Sequence, residues 1–140
     1  MPQQRTISII KPDAIQKNLT DKIINILESK GLRIVSKKKV HLTPEQAKEF
    51  YGEHKNKPFF PDMVKFMCSS PVVVMCLEGE NAIKLNREIM GATNPQDAKV
   101  GTIRRTYGES IDNNVIHGSD SPQAAEREIN FFFTKEEISA

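Results

Sequence analysis

The sequence predicts an α+β fold built on a four-stranded antiparallel sheet, and three observations lead there. Residues 72–77, Val-Val-Val-Met-Cys-Leu, are an unbroken apolar run of strand length, which belongs at the centre of a sheet covered on both faces. Other β-branched runs are separated by segments with helix start and stop residues rather than by two-residue hairpin turns. The elements follow the order β-α-β and then β-α-β again, with extra helical pieces inserted.

Taken in chain order, residues 5–10 alternate and are rich in β-branched side chains, so they read as a first strand that ends where Lys11-Pro12-Asp13 stops ladder pairing. Thr20 can cap a helix whose Ile23, Ile24 and Leu27 share a face, and Gly31 suits the left-handed position beyond its end. A second strand follows over 32–40. Thr43-Pro44-Glu45-Gln46 has the N-cap, first-turn proline and capping-box glutamine of a helix start, and that helix runs through Tyr51. Residues 58–67 form another helical stretch, 72–77 the core strand, and 81–90 a helix closed by Gly91. Residues 93–118 are polar and rich in turn formers, the kind of segment where function concentrates. Ser121-Pro122 opens a last helix through Arg127, running into a final strand over 129–134. This order matches the split βαβ pattern of ferredoxin-like folds, an architecture that by itself selects no function.

A chain of 140 residues can bury a sizeable core as one domain over 1–140 without metal or disulfide staples. Lys plus Arg number 20 against 18 for Asp plus Glu, a balance that gives no reason to expect nucleic acid as the main partner or attachment to a membrane. Cys68 and Cys76 are the only cysteines and lie in no ligand-like spacing, which argues against a zinc site and for a reducing, cytoplasmic setting. Residues 1–5 have no apolar signal core, and no apolar run is long enough to span a bilayer.

The chemistry concentrates in Asn114-Val115-Ile116-His117-Gly118-Ser119-Asp120-Ser121. An imidazole, a glycine, hydroxyls and a carboxylate precede a helix N-terminus, where free backbone N–H groups attract anions. With no second histidine beside it, His117 reads better as a nucleophile than as a metal ligand, although a lone histidine also has a purely structural reading. Phe59 and Phe60 read equally as core aromatics. Arg87, Glu128 and His54 read as solvated charges or surface residues, and Tyr51 as the close of its helix. The run Lys37-Lys38-Lys39 fits a blunted sheet edge. Together with Phe59 and Phe60 it also allows a nucleic-acid-binding module.

The segment Asn-x-x-His-Gly-Ser-Asp-Ser resembles the active-site signature of nucleoside diphosphate kinases. Further blocks resemble that family in the same order: Arg5-Thr6 with Ile10-Lys11-Pro12-Asp13, Pro58-Phe59-Phe60, Gly91-Ala92-Thr93-Asn94-Pro95 and Gly101-Thr102-Ile103-Arg104. The resemblance implies ping-pong transfer of a terminal phosphoryl group between nucleoside tri- and diphosphates, with little base specificity, through a phosphohistidine formed at Nδ1 of His117. It implies that Phe59, Met63 and Ile111 clamp the base, that Lys11 and Asn114 reach the ribose, and that Arg87, Thr93 and Arg104 hold the phosphates with His54 nearby. Tyr51 would line the phosphate site beside Lys11, Glu128 would orient the imidazole, and Ser119 would support it. Mg2+ would bridge phosphate oxygens without a direct protein ligand, and the assembly would be a homotetramer or homohexamer. The chain departs from the family's commoner residues at Gln4, Val100 and Thr106, none of them a proposed catalytic position.

Overall fold

Val72 to Leu77 are all buried in the computed structural model, because their strand is paired on both edges and packed on both faces. The structure describes residues 3–111 and 113–138. Among them lie β1 (Gln3–Ile10), α1 (Pro12–Gln16), α2 (Thr20–Ser29), β2 (Arg33–Val40), α3 (Pro44–Phe50), α4 (Phe60–Met67), β3 (Val72–Glu80) and α5 (Ala82–Met90). After these come α6 (Ile103–Tyr107), β4 (Ile116–Gly118), α7 (Pro122–Phe132) and α8 (Lys135–Ile138). The sheet order is β2-β3-β1-β4, and every neighbouring pair is antiparallel. This is the ferredoxin-like α+β arrangement expected from the order of elements.

Side-chain alternation along β1 sorts the core into two halves. Ile10 joins Ile23 and Leu27 of α2, Ile89 and Met90 of α5, and Ile103 of α6 on one face. Ile7 and Ile9 join Phe50 of α3, Val64 and Met67 of α4, and Phe132 of α7 on the other. The expected capping box opens α3: Thr43 Oγ1 accepts from Gln46 N at 3.1 Å, and Gln46 Oε1 accepts from Thr43 N at 2.9 Å. Gly31 does take the left-handed position after α2, at φ +101°. Asn81, before α5, is left-handed and gives that helix no side-chain cap. Gln4 reaches across from β1 instead, its Oε1 accepting from Ile83 N at 2.9 Å.

Three expectations need correction. Residues 129–134 form no strand, because α7 continues to Phe132. Ile129, Phe131, Phe132 and Phe133 favour a strand on propensity, but Ala125, Glu128 and Phe132 are all buried at helical spacing, and packing on the sheet overrides propensity. The fourth strand lies instead within the segment read as loop. With three residues it is too short to show a period. Finally, Thr20 is the first residue of α2 rather than its cap. Leu19 holds the N-cap place with no side-chain hydrogen bond, and the chain turns into the helix through Asn18 at φ +59°.

Glu78 of β3 sits opposite Arg5 of β1 and Arg33 of β2 in the two ladders. It bonds both, Arg5 Nε at 2.9 Å and also Arg33 NH2. Those two arginines, Arg33 first, hold its carboxyl below the ordinary value of 4.5. A depressed carboxyl adds stability above that value and loses it as pH falls through the folded one. Glu78→Gln should therefore be less stable than wild type at neutral pH, by up to about 1 kcal/mol for a pair near the surface. The gap should close well below pH 4.5 in urea denaturation.

Candidate active site

His117 is the middle residue of β4 and lies opposite Ile9 of β1. Beside it opens a cleft of about 680 Å³ whose wall includes Lys11, Tyr51, His54, Phe59, Met63, Arg87, Thr93, Arg104, Ile111, Asn114 and Glu128. Every residue expected at the site lines this cleft except Ser119, which is fully buried and bonds Glu128 from behind.

The imidazole is fixed from behind. Its Nε2 lies 3.0 Å from Glu128 Oε1, which also accepts from Ser119 Oγ at 3.0 Å. Ser119 Oγ accepts in turn from Ile7 N at 3.3 Å, so the strand backbone, the hydroxyl, the carboxylate and the ring form one chain of donors and acceptors. A carboxylate oxygen only accepts, so Nε2 carries the hydrogen and Nδ1 keeps its lone pair in the neutral ring. Rings brace the imidazole as well, with Phe50 at 5.5 Å and Tyr51 at 5.9 Å, both edge to face. Burial, and then the charge of Glu128, raise the Tyr51 hydroxyl above its usual range, so it stays protonated.

Cations come from four elements. Lys11, just after β1, donates Nζ to Asn114 Oδ1 at 2.8 Å, and Asn114 Nδ2 donates to Thr93 O at 2.9 Å. These three expected residues are therefore linked directly. Arg87 comes from the last turn of α5. Arg104 of α6 is 6 % exposed and donates NH1 to Gly91 O at 3.0 Å and NH2 to Ile116 O at 2.6 Å. Burial, and then the nearby Arg87, pull its pKa down to about 10, the mark of a cation short of counter-charge. Arg127 of α7, absent from the expected set, also faces the cleft and lies 3.6 Å from Glu128 Oε2. It escaped notice because no block of the family resemblance contains it and a lone arginine on a helix reads as a solvated charge.

At the far end of the cleft Phe59 and Ile111 are 45 % and 55 % exposed, an unusual state for large apolar side chains. Phe60, by contrast, is half-buried in the core. Lys38 of the lysine run lies over the Phe133 ring and bonds Glu137. The stacking surface and the lysine run are thus separate features. Among the described residues no group of three or more His, Cys, Asp or Glu could hold a metal ion.

The family profile described as Nucleoside diphosphate kinase matches residues 4–138. The chain belongs to the nucleoside diphosphate kinase family. It is 59% identical over 138 residues to a nucleoside diphosphate kinase of Rhizorhabdus wittichii, covering 99% of both chains. To that of Campylobacter curvus it is 61% identical over 135 residues, covering 96% of this chain and 98% of the relative. Among solved structures, the Aquifex aeolicus nucleoside diphosphate kinase superposes with a TM-score of 0.95 at 45% identity, covering 98% of this chain and 99% of that one. The Halobacterium salinarum nucleoside diphosphate kinase, solved in complex with CDP, also gives 0.95 at 45% identity, covering 98% of this chain and 91% of that one.

Within the family's signature, Gly118 has a steric reason to be glycine. A Cβ there would lie 2.5 Å from Asn86 Nδ2 and 2.7 Å from Met90 Sδ, so any side chain on β4 here would have to push two buried side chains of α5 aside. Gly118→Ala should lower stability by about 1–3 kcal/mol, as overpacked cores do. Urea denaturation of the two proteins side by side measures it.

Proposed function

We propose that this chain transfers the terminal phosphoryl group of a nucleoside triphosphate to a nucleoside diphosphate through a phosphohistidine on His117, in two half-reactions at one site. The observation that carries this reading is the 3.0 Å contact between His117 Nε2 and Glu128 Oε1 inside a cleft lined by cations. It leaves Nδ1 as the nucleophilic nitrogen.

In the first half-reaction the Nδ1 lone pair attacks the γ-phosphorus and the bond to the β,γ-bridging oxygen breaks. The diphosphate then leaves with that electron pair. The ring becomes cationic as it is phosphorylated, and the Glu128 carboxylate stabilises the charge while Ser119 keeps that carboxylate in line. Arg87, Thr93 and Arg104 hold the phosphate oxygens in this reading, with the charge of Lys11 close by, and preorganised cations stabilise the charge that spreads over the transferring group. Tyr51 and His54 line the same stretch. A second diphosphate reverses the step.

Phe59, Met63 and Ile111 offer the base an apolar surface with no dedicated hydrogen-bonding group among the three, which favours purines and pyrimidines alike. Lys11 and Asn114 are assigned to the ribose. The CDP-bound Halobacterium relative supports nucleotide binding in this fold. Mg2+ would arrive with the nucleotide as part of the substrate and would offset phosphate charge beside Arg87 and Arg104.

The family profile covers nearly the whole chain, which supports a single functional domain. Cys68 and Cys76 are both free thiols, in keeping with a reducing, cytoplasmic setting, and no helix among the described residues is long and apolar enough to cross a membrane. A homotetramer or homohexamer is the assembly that membership of this family suggests for the chain.

His117→Ala should still bind nucleotide but take up no label from terminally labelled ATP, whereas wild type forms a base-stable, acid-labile phosphoenzyme. Appreciable phosphoryl exchange by the substituted protein would count against His117 as the acceptor. Sedimentation equilibrium should give four or six chains per particle; a stable monomer at micromolar concentration would contradict the assembly.

A further inference from the structure

Val115, two residues before His117, has φ +66° and is fully buried. Positive φ is a genuine outlier for a β-branched residue. The cause is local: Asn114 O accepts from Ile116 N at 2.9 Å, a bond between residues two apart that makes Val115 the centre of a strained γ-turn. Such backbone persists only where the surroundings dictate it. Here they can be named, because both backbone groups of Val115 are taken by the segment that follows β1. Its carbonyl accepts from Lys11 N at 2.9 Å, and its N–H donates to Asp13 Oδ2 at 3.1 Å.

The turn separates two working side chains. Before it, Asn114 joins Lys11 to Thr93; after it, Ile116 and His117 enter the β1 ladder. Were Val115 to relax to negative φ, both bonds would break, and Asn114 would rotate relative to the strand that carries the imidazole. Neither Asp13 nor Val115 lines the cleft.

We propose that Asp13 is a positioning residue for phosphoryl transfer, whose carboxylate accepts the Val115 amide and so holds the strained turn that sets Asn114 and His117 in register. This rests on His117 being the phosphoryl acceptor. Asp13 is 8 % exposed. Burial raises its carboxyl above the ordinary range, against the opposing pull of Lys11 and of nearby backbone amides. A desolvated carboxylate is a poor choice for stability alone, which fits a group kept for the geometry it imposes.

The test is single-turnover phosphorylation by terminally labelled ATP, with ADP affinity measured separately by calorimetry. Labelling of wild type and its absence in His117→Ala check the acceptor independently of Asp13. Given that acceptor, Asp13→Ala should slow phosphorylation about 10²-fold, the scale of an ångström-sized misplacement, and should weaken ADP binding much less, since only the ribose contact of Asn114 moves with the turn. Adding Val115→Gly to Asp13→Ala should recover about tenfold or more, because glycine adopts positive φ without a clamp. A residue that only filled space would give the opposite, a double variant slower than the single one. Asp13→Asn keeps an acceptor and loses the charge, so it should lose much less rate than Asp13→Ala; equal losses would mean that the charge beside Lys11 matters rather than the turn. Hydrogen exchange supplies a readout apart from activity: the Val115 amide should exchange faster in Asp13→Ala than in wild type. Unchanged exchange, or a double variant no faster than Asp13→Ala, overturns the proposal.

Discussion

Phosphoryl transfer to an imidazole needs the ring, the cations and the base-binding surface held within a fraction of an ångström of one another, and in this chain that demand falls on the pairing of β4 with the outer edge of β1. Only Ser8, Ile9 and Ile10 have partners there. The pairing is extended past the strand end by Ser119, whose N–H donates to Ile7 O at 3.1 Å while its hydroxyl takes the Ile7 N–H. Because Ile7 and Ile9 are fully buried, the edge that receives β4 is as rigid as the core. The same hydroxyl reaches Glu128, so the docking of α7 and the aim of the imidazole depend on one short ladder.

Arg104 belongs to this constraint as much as to the wall of the cleft. Its NH2 donates to Ile116 O and its NH1 to Gly91 O, tying β4 to the loop after α5. Its remaining nitrogen, Nε, is buried without a partner in the structure. A cation with a pKa lowered to about 10 by burial and by Arg87 destabilises its own neighbourhood, and a polyphosphate would relieve that repulsion. Ligand binding and local stability are thereby linked, since whatever binds the folded state alone also stabilises it.

Much of this was legible in the chain. The apolar run of β3, the capping box of α3 and the order of elements led to the sheet and its helices, because each rests on local chemistry that packing did not override. The signature around His117 led to the segment beside which the cleft opens. What could not be read was decided by distant contacts. α7 continues through residues with strand propensity because Ala125, Glu128 and Phe132 face the sheet, and β4 owes its existence to an edge of β1 more than a hundred residues earlier in the chain. Arg127 went unnoticed because it lies in none of the blocks that carry the family resemblance, and a lone helical arginine reads as a solvated charge. The left-handed Val115 carries no signal at all, as nothing in a valine announces positive φ.

The exposure of Phe59 and Ile111 also has a kinetic side. A site that serves two half-reactions must release one diphosphate before the next can enter, so its throughput is limited by how long a spent nucleotide stays. Stacking on an aromatic face contributes about 1–3 kcal/mol, equivalent to about 5- to 150-fold in dwell time if it acts on dissociation. With the two residues 45 % and 55 % exposed, a base stacked on them would sit in a shallow slot rather than an enclosed one, and most of the hold would have to come from the cationic side of the cleft. Under the proposed mechanism, grip there would be strongest while the group is in flight between ring and nucleotide, and an open base slot would let the remainder diffuse away once the transfer is done.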